Sequence, residues 1–281
     1  MQSALPADPP PRQRSKTGVL NVNKPVGITS FGVVARVRRA TGVRRVGHAG
    51  TLDPLASGVL LVCIGQATRI ISYLQDSPKT YLAGIRLGRR TDTFDAEGRV
   101  IEELPVPERL DLQPYVGHIR QTPPMYSALK RDGRPLYDYA RKGEEVALEP
   151  RDVRIDSIEL ISWTPPDCRL RIVCGKGAYI RSLANDLGGH LTSLVREAVG
   201  DFRVERAVSL DELSAWENEL MPIPAALPRL PHVTASPAEV VRLRQGLPIQ
   251  CEAGEALAMD DAGQAVAIVD AGQPKIVFGA A

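Results

Sequence analysis

Residues 47–60 read GHAGTLDPLASGVL and lead into the continuous apolar run 59–64. An apolar run of this kind, bounded by turn residues, is typical of a strand that is buried on both faces of a sheet. The loop before it, residues 47–58, holds three glycines, one proline and one carboxylate, that of Asp53.

Local sequence leaves two interpretations of Asp53 open. An aspartate that precedes a proline can cap a helix, because its carboxylate accepts backbone N–H groups while Pro54 takes the first helical position. Alternatively, the glycine-rich loop exposes Asp53 beside a cationic segment, where it could act as a nucleophile or base without a second carboxylate next to it.

The segment before the loop predicts a strand, a turn and a helix. Residues 18–30 contain a short apolar strand followed by a Lys-Pro-Val-Gly turn. The helix is predicted to begin with Ser30 as its cap and to end at Gly42, a left-handed terminator. One face of this helix is apolar, and the other carries Arg36, Arg38 and Arg39.

Charge is strongly polarised along the chain. Residues 9–52 contain nine basic side chains and no acidic one, residues 53–204 contain 21 of each, and residues 205–281 contain 5 basic and 11 acidic. A basic first segment indicates attraction to a polyanion, most often nucleic acid, although a solvated cationic face gives the same pattern.

Downstream of the loop, the patterning predicts alternating strands and helices. The predicted strands span 79–87, 152–161 and 168–174, of which the last two form a hairpin. The predicted helices lie at about 66–74, 108–117, 135–142 and 178–187, and a further helix starts at a capping box from Ser209 to Glu212. A proline-rich stretch at 222–237 is predicted to link the main body to a small β module.

No segment predicts a membrane span or an export signal. The longest stretch without a charge, residues 54–68, has 15 residues, whereas a transmembrane helix needs roughly 20. Residues 1–17 are predicted to form a disordered leader, because prolines and basic residues stand where a signal peptide has an apolar core. We therefore expect a cytoplasmic protein.

Cysteines and histidines show no metal-site spacing. The cysteines form no CxxC pair, and no histidine has a second ligand at helical or hairpin spacing. These residues are Cys63, Cys168, Cys174, Cys251, His48, His118, His190 and His232. We expect no metal and no cofactor.

The acidic loop TDTFDAEG at 91–98 is a rival cluster. It fails the EF-hand pattern because Phe94 and Ala96 occupy two of the positions that should carry ligands. A solvated or turn-stabilising loop is one interpretation of Asp92, Asp95 and Glu97. Metal-dependent phosphoryl transfer through Asp92 and Asp95 is the other.

KGAYIRSL at 176–183 places Tyr179 and Arg181 at the start of a predicted helix. Tyr179 could pack in the core, and Arg181 could make an ordinary surface pair. An arginine that meets Asp53 in a cleft would instead hold the carboxylate ionised and fixed. Local sequence does not bring the two residues together.

Six segments occur in the order and spacing of one known family. They are VNKPVGITS (22–30), GHAGTLDPLASGVL (47–60), KTY (79–81), RTDTFDAEG (90–98), QTPPMYSALK (121–130) and KGAYIRSLANDLG (176–188). Spread over roughly residues 18–228, they resemble the TruB family of bacterial tRNA pseudouridine-55 synthases.

The resemblance implies an isomerase that converts uridine to pseudouridine in the T-loop of tRNA, at position 55. In this family the enzyme flips the base out, detaches it from ribose C1′ and rejoins it through C5. The resemblance assigns catalysis to Asp53 and the base pocket to Tyr81, Tyr179, Arg181 and Leu194. The predicted RNA contacts are His48 and Lys24, and, on a thumb-like insertion at about 121–150, Lys130, Arg131, Arg134, Arg141 and Lys142.

The chain departs from the family pattern in one segment. Residues 189–202 read GHLTSLVREAVGDF, in which Leu194, Gly200 and Phe202 match the family but Val195, Glu197 and Ala198 replace expected residues. The C-terminal module is short and acidic, and it resembles only loosely the PUA-like RNA-binding domain of relatives.

The expected fold is α+β, of the pseudouridine synthase type, with a mixed, largely antiparallel sheet and flanking helices. We expect a catalytic domain at 18–228 and a small PUA-like β module at 232–281. The expected partner is the T arm of tRNA, bound by a monomer without a nucleotide cofactor. A noncatalytic tRNA-binding or folding protein with the same basic surface is the alternative.

Overall fold

The computed structural model describes residues 16–125, 130–131, 134–135, 139 and 148–279. The strands of its first part are β1 (Gly18–Lys24), β2 (Val46–His48), β3 (Ala56–Ile64), β4 (Lys79–Leu87), β5 (Arg89–Thr91), β6 (Val100–Glu103), β7 (Gly117–Gln121), β8 (Lys130–Arg131) and β9 (Arg134–Pro135). The later strands are β10 (Arg151–Thr164), β11 (Asp167–Cys174), β12 (Gly189–Val199), β13 (Phe202–Arg203), β14 (His232–Thr234), β15 (Glu255–Met259), β16 (Ala265–Asp270) and β17 (Gln273–Val277).

The described helices are short. They are α1 (Ser30–Thr41), α2 (Ile71–Asp76), α3 (Ile180–Asp186), α4 (Trp216–Glu219), α5 (Ile223–Ala226) and α6 (Pro237–Arg244). Turns of 3₁₀ helix occupy Gly65–Ile70, Gln113–Tyr115, Val204–Arg206 and Leu213–Ala215. None of the described helices is long and apolar enough to span a bilayer.

One large mixed sheet organises the fold. Its described strands follow the order β1-β3-β12-β4-β11-β10-β7, with β2 paired to β3 and β13 paired to β12. Neighbours along this path are antiparallel except β3 and β12, which run parallel. The expected α+β fold with a mixed, largely antiparallel sheet is confirmed, and so is the hairpin predicted from the two strands near 152–174.

Strand β3 is buried on both faces, as its apolar run predicts. Leu60 and Val62 pack with the apolar stripe of α1. Val59 and Leu61, which alternate with them, belong to a second core on the opposite face. This double burial fixes the strand that follows the Asp53 loop.

Helix α1 begins one residue away from the predicted position. The side chain of Thr29, not that of Ser30, caps it by accepting a hydrogen bond from the Gly32 N–H at 3.0 Å. The helix ends at Gly42, which adopts φ +69° as predicted. The Ser30 hydroxyl is consequently available for the Asp53 loop: it accepts from the Leu52 N–H at 2.8 Å and donates to the Leu52 carbonyl at 3.0 Å.

The prediction of a helix at 108–117 is wrong. Residues 108–117, all described, contain one 3₁₀ turn before β7 begins. Pro114 has no N–H to donate, and Gly117 adopts φ +98°, so the chain cannot continue as an α-helix.

Two other predicted helices are shorter than expected. The segment at 66–74 is a 3₁₀ turn followed by α2. The Ser209 N–H donates to Glu212 Oε2 at 3.1 Å, as in a capping box, but the next element is a 3₁₀ turn and then α4.

The C-terminal residues form a second sheet in the order β14-β15-β16-β17. Leu257 and Ile268 of this sheet share a buried cluster with Leu61 of β3. The stretch predicted as a linker, 222–237, contains α5 and β14. A division of the chain between 228 and 232 stays a prediction.

Most of the predicted RNA-gripping insertion lies outside the described residues. The backbones of Lys130, Arg131 and Arg134 are described as the paired strands β8 and β9, whereas Arg141, Lys142 and most of the helix predicted at 135–142 lie outside. Residues 1–15 of the predicted leader also lie outside.

Candidate active site

Asp53 lies in a turn, not at the start of a helix. The backbone turns at Pro54 and Leu55, and β3 begins at Ala56. The Asp53 carbonyl accepts a hydrogen bond from the Ala56 N–H at 3.1 Å. The helix-cap interpretation is therefore wrong, because the Asp53 carboxylate caps no helix.

The Asp53 carboxylate meets Arg181. Arg181 Nε lies 2.9 Å from Asp53 Oδ2, and the two side chains are 4% and 31% exposed. Burial holds the guanidinium in place, so the ion pair keeps the Asp53 carboxylate at one position. The structure thus joins the two residues that the sequence could not connect.

A second carboxylate lies on the same guanidinium. Arg181 Nη1 is 3.4 Å from Asp95 Oδ2 and donates to the Thr93 carbonyl at 3.1 Å. Asp95 Oδ1 accepts from Thr93 Oγ1 at 2.6 Å and from the Glu97 N–H at 3.1 Å. Asp95 is therefore a buried turn residue, not a solvated one, and its contacts disfavour a metal pair with Asp92.

Helix α3 presents Arg181 from its first turn. The helix has no side-chain cap of its own, but the Tyr179 N–H donates to Gln121 Oε1 at 2.7 Å. Ser182 Oγ donates to the Thr122 carbonyl, also at 2.7 Å. These two bonds fix the start of the helix to the end of β7.

Tyr81 and Leu194 form an apolar wall near this ion pair. They lie on the paired strands β4 and β12 and are 9% and 7% exposed. Both belong to a buried cluster with Leu52 and Ile180, the residues that precede Asp53 and Arg181 in sequence. Burial raises the pKa of the Tyr81 phenol, so the hydroxyl is protonated at neutral pH.

Lys24 is fully buried instead of lying on an open RNA-facing surface. Its Nζ donates to the carbonyls of Pro25 at 2.9 Å, Ile28 at 2.7 Å and Pro54 at 3.4 Å. Burial lowers the pKa of Lys24 to about 8, against the opposing effect of Asp53. These contacts favour a role in holding the turn beside Asp53 over the direct RNA contact predicted for Lys24.

His48 ends β2 and is half-buried. Within the described part of the chain, its Nδ1 has no hydrogen-bond partner. Burial, and then the nearby Arg196, lowers the pKa of His48, so the ring is neutral at pH 7. The unpartnered Nδ1 is itself buried, so it does not support the RNA contact predicted for His48, which stays a prediction.

Sequence reasoning missed one buried residue that contacts the Asp53 loop. Arg196 of β12 is 1% exposed and donates to the carbonyls of Gly50, Thr51 and Val59. The sequence signal that could have indicated this role is an arginine inside an apolar strand. Its neighbour Glu197, a departure from the family pattern, pairs with Arg171 Nε at 3.0 Å.

The site combines a fixed carboxylate with an apolar wall and several buried cations. Such a set can hold an uncharged planar ring and act on it with one carboxylate. Among the described residues, no group of three or more His, Cys, Asp or Glu side chains is placed to hold a metal ion.

The sequence and the fold have close relatives. Residues 38–180 match the family model described as "TruB family pseudouridylate synthase (N terminal domain)". A Dehalococcoides mccartyi protein named tRNA pseudouridine synthase B is 44% identical over 261 residues, which span 86% of this chain and 87% of the relative. A protein of the same name from Azoarcus sp. (strain BH72) is 44% identical over 250 residues, 83% of each chain.

The fold extends to more distant proteins. A chain of the crystal structure of a Cbf5–Nop10–Gar1 complex superposes with a TM-score of 0.69 at 24% identity, covering 95% of this chain and 84% of that chain. At this identity the likeness is one of fold. The family match and the relatives at 44% identity, over most of each chain, are stronger evidence: this chain belongs to the TruB family of pseudouridylate synthases.

Proposed function

We propose that this protein isomerises uridine to pseudouridine at position 55, in the T-loop of tRNA. The relatives named tRNA pseudouridine synthase B, 44% identical over most of the chain, support tRNA as the substrate. The observation that carries the proposal is the 2.9 Å contact between Arg181 Nε and Asp53 Oδ2, beside the apolar wall of Tyr81 and Leu194.

Asp53 is the catalytic residue of the proposal. The bond between N1 of uracil and C1′ of ribose breaks, the uracil turns, and a bond forms between C5 and C1′. The proton leaves C5, and N1 acquires one, so the product is an isomer of the substrate. Because no electrons are gained or lost overall, the reaction needs no redox cofactor.

The target base must leave the RNA stack to reach Asp53. Enzymes that act on a base commonly flip it into a pocket that stacks on aromatic or apolar side chains. In the proposal Tyr81 and Leu194 hold the flipped uracil, and Tyr179 lines the same pocket at the start of α3. His48, at the end of β2 where the Asp53 loop begins, contacts the RNA where the base has left.

Phosphate contacts come from the basic surface. The excess of basic residues over 9–52 supplies attraction to the RNA backbone, which dominates affinity without specifying sequence. The cations predicted on the insertion, Lys130, Arg131, Arg134, Arg141 and Lys142, are proposed to grip the T arm.

A site-resolved modification assay tests the proposal. An unmodified tRNA transcript and its T-arm stem-loop are incubated with the protein, and pseudouridine is mapped by carbodiimide labelling and primer extension. The matched control RNA carries cytidine in place of uridine 55. We expect one stop at position 55 in both uridine RNAs. Tight RNA binding without any stop would indicate the noncatalytic tRNA-binding alternative.

A further inference from the structure

The loop that carries Asp53 has its carbonyls bonded at five consecutive residues. The Leu52 carbonyl accepts from Ser30 Oγ, and the Asp53 carbonyl accepts from the Ala56 N–H. The Pro54 carbonyl accepts from the Gly27 N–H at 2.8 Å and from Lys24 Nζ at 3.4 Å. The two carbonyls before these, those of Gly50 and Thr51, depend on one side chain.

That side chain is Arg196. Its Nη2 donates to the Gly50 carbonyl at 3.1 Å and its Nη1 lies at 3.4 Å from the Thr51 carbonyl. Its Nε donates to the Val59 carbonyl at 2.7 Å. One planar group thus ties the first half of the loop to the strand that follows it.

Arg196 is buried without a carboxylate partner among the residues that the structure describes. A buried cation is costly unless its donors are satisfied. Here backbone carbonyls accept the hydrogen bonds of the guanidinium. Small polar side chains could bond the same carbonyls without the desolvation penalty of a buried charge. That the chain nevertheless buries an arginine here indicates that the loop must be held rigidly.

Arg196 and Tyr81 are register partners on the paired strands β12 and β4, and the nearby guanidinium opposes the rise that burial causes in the pKa of the Tyr81 phenol. Arg196 therefore contacts the loop that bears the proposed catalytic residue and also lies beside one wall of the proposed base pocket.

The approach of β12 to β3 places Arg196 accurately. Gly58 is the register partner of Arg196, and a Cβ added at Gly58 would lie 2.3 Å from the Arg196 carbonyl oxygen. The glycine lets the two backbones come this close. The guanidinium can then reach back across β3 to the loop.

We infer that Arg196 is a positioning residue for the reaction, which fixes the Asp53 loop through the fork of its guanidinium and lies beside Tyr81 of the proposed base pocket. The inference rests on the proposed function for its kinetic consequence. It does not make Arg196 a contact of the RNA, since the side chain is almost completely buried.

Single-turnover kinetics on the T-arm stem-loop test this role with Arg196→Lys and Arg196→Met. Arg196→Lys keeps the charge but loses the fork geometry, because an ammonium is a point donor. Lys79→Met is the matched control: Lys79 is also a buried cation at the junction of β4 and β12, but it donates to the Gln75 carbonyl, not to the loop. Unfolding by urea ranks the stability of all three variants.

We expect both Arg196 variants to lose about 10²-fold in the single-turnover rate constant, with the RNA dissociation constant within about threefold of the wild type. Lys79→Met should stay within about threefold in rate even if it is equally destabilised. A rate for Arg196→Lys within threefold of the wild type would overturn the inference, and so would an equal loss in Lys79→Met at equal stability.

Amide hydrogen exchange gives a readout that does not depend on catalysis. If Arg196 fixes the loop, the Leu52 amide exchanges at least about tenfold faster in Arg196→Lys than in the wild type, while amides of β16 stay unchanged. Unchanged protection at Leu52 contradicts the inference. A wild type that forms no pseudouridine contradicts the proposed function, and the exchange result still decides whether Arg196 holds the loop.

Discussion

Arg181 Nε lies 2.9 Å from Asp53 Oδ2, yet the arginine is 4% exposed and the carboxylate 31% exposed. The cation is therefore the fixed partner, held by α3 and by Asp95, whereas one side of the carboxylate faces outward. A carboxylate that is held in place and still partly accessible is able to act on a bound nucleotide.

Asp95→Asn should weaken the protein and its activity together. The change removes one of the two carboxylates from a buried arginine, and breaking a buried ion pair costs about 3 kcal/mol. We expect the free energy of unfolding in urea to fall by about this amount, and the rate of pseudouridine formation to fall at least about tenfold. Glu97→Gln, on an exposed neighbour in the same loop, should change neither quantity measurably.

Gly58→Ala should be among the most destabilising additions of a single methyl group in the large mixed sheet. Gly58 has φ +102°, and its added Cβ would lie 2.3 Å from the Arg196 carbonyl oxygen. Backbone strain and overpacking together should cost about 3 kcal/mol. Gly246→Ala provides the control, because Gly246 has φ +77° but nothing within 4 Å of its added Cβ. Only about 1 kcal/mol is expected there; equal losses would refute the steric argument.

Lys79 should make stability rise with pH in the alkaline range. Burial first, and then Arg196, lowers the pKa of Lys79 to about 8, whereas the unfolded chain has the ordinary value of about 10.5. Between these values the unfolded chain binds more protons, so the free energy of unfolding increases with pH. Below about pH 8 the cost of burying the charged amine is present in full.

The pH dependence is measured as the difference in unfolding free energy between the wild type and Lys79→Met. This difference should shift in favour of the wild type from pH 8 to pH 10.5, by at most about 1.4 kcal/mol per pH unit, the limit for the release of one proton. A flat or falling difference over this range contradicts the pKa of about 8.

Much of the fold could be predicted because local patterns agree with the tertiary structure. The apolar run after the Asp53 loop is the doubly buried β3, and the hairpin of β10 and β11 follows its alternation. The glycine after α1 ends the helix in the left-handed conformation. In each case a few neighbouring residues carry the whole signal.

Strand β12 could not be predicted in this way, although it lies at the centre of the sheet. Register shifts between Leu191 and Ser193 and between Arg196 and Ala198 interrupt its alternation, and an arginine sits where an apolar residue is expected. The roles of Arg196 and Asp95 depend on partners that are distant in sequence. The helix-cap interpretation of Asp53 was wrong for a different reason: an Asp-Pro pair can begin a turn as well as a helix, and here β3 follows the turn.

Asp53 carries the proposed chemistry, and tritium release from a T-arm stem-loop labelled at uridine C5 tests its role. The wild type and Asp53→Asn are compared, with a chelator present. Asp53→Asn also takes a carboxylate from the buried Arg181, but Asp53 caps no helix and is 31% exposed, so the variant should lose no more than the ~3 kcal/mol expected for Asp95→Asn and still bind the RNA. We predict release by the wild type and a rate at least about 10³-fold lower in the variant. Release by Asp53→Asn at a rate close to that of the wild type would contradict the account.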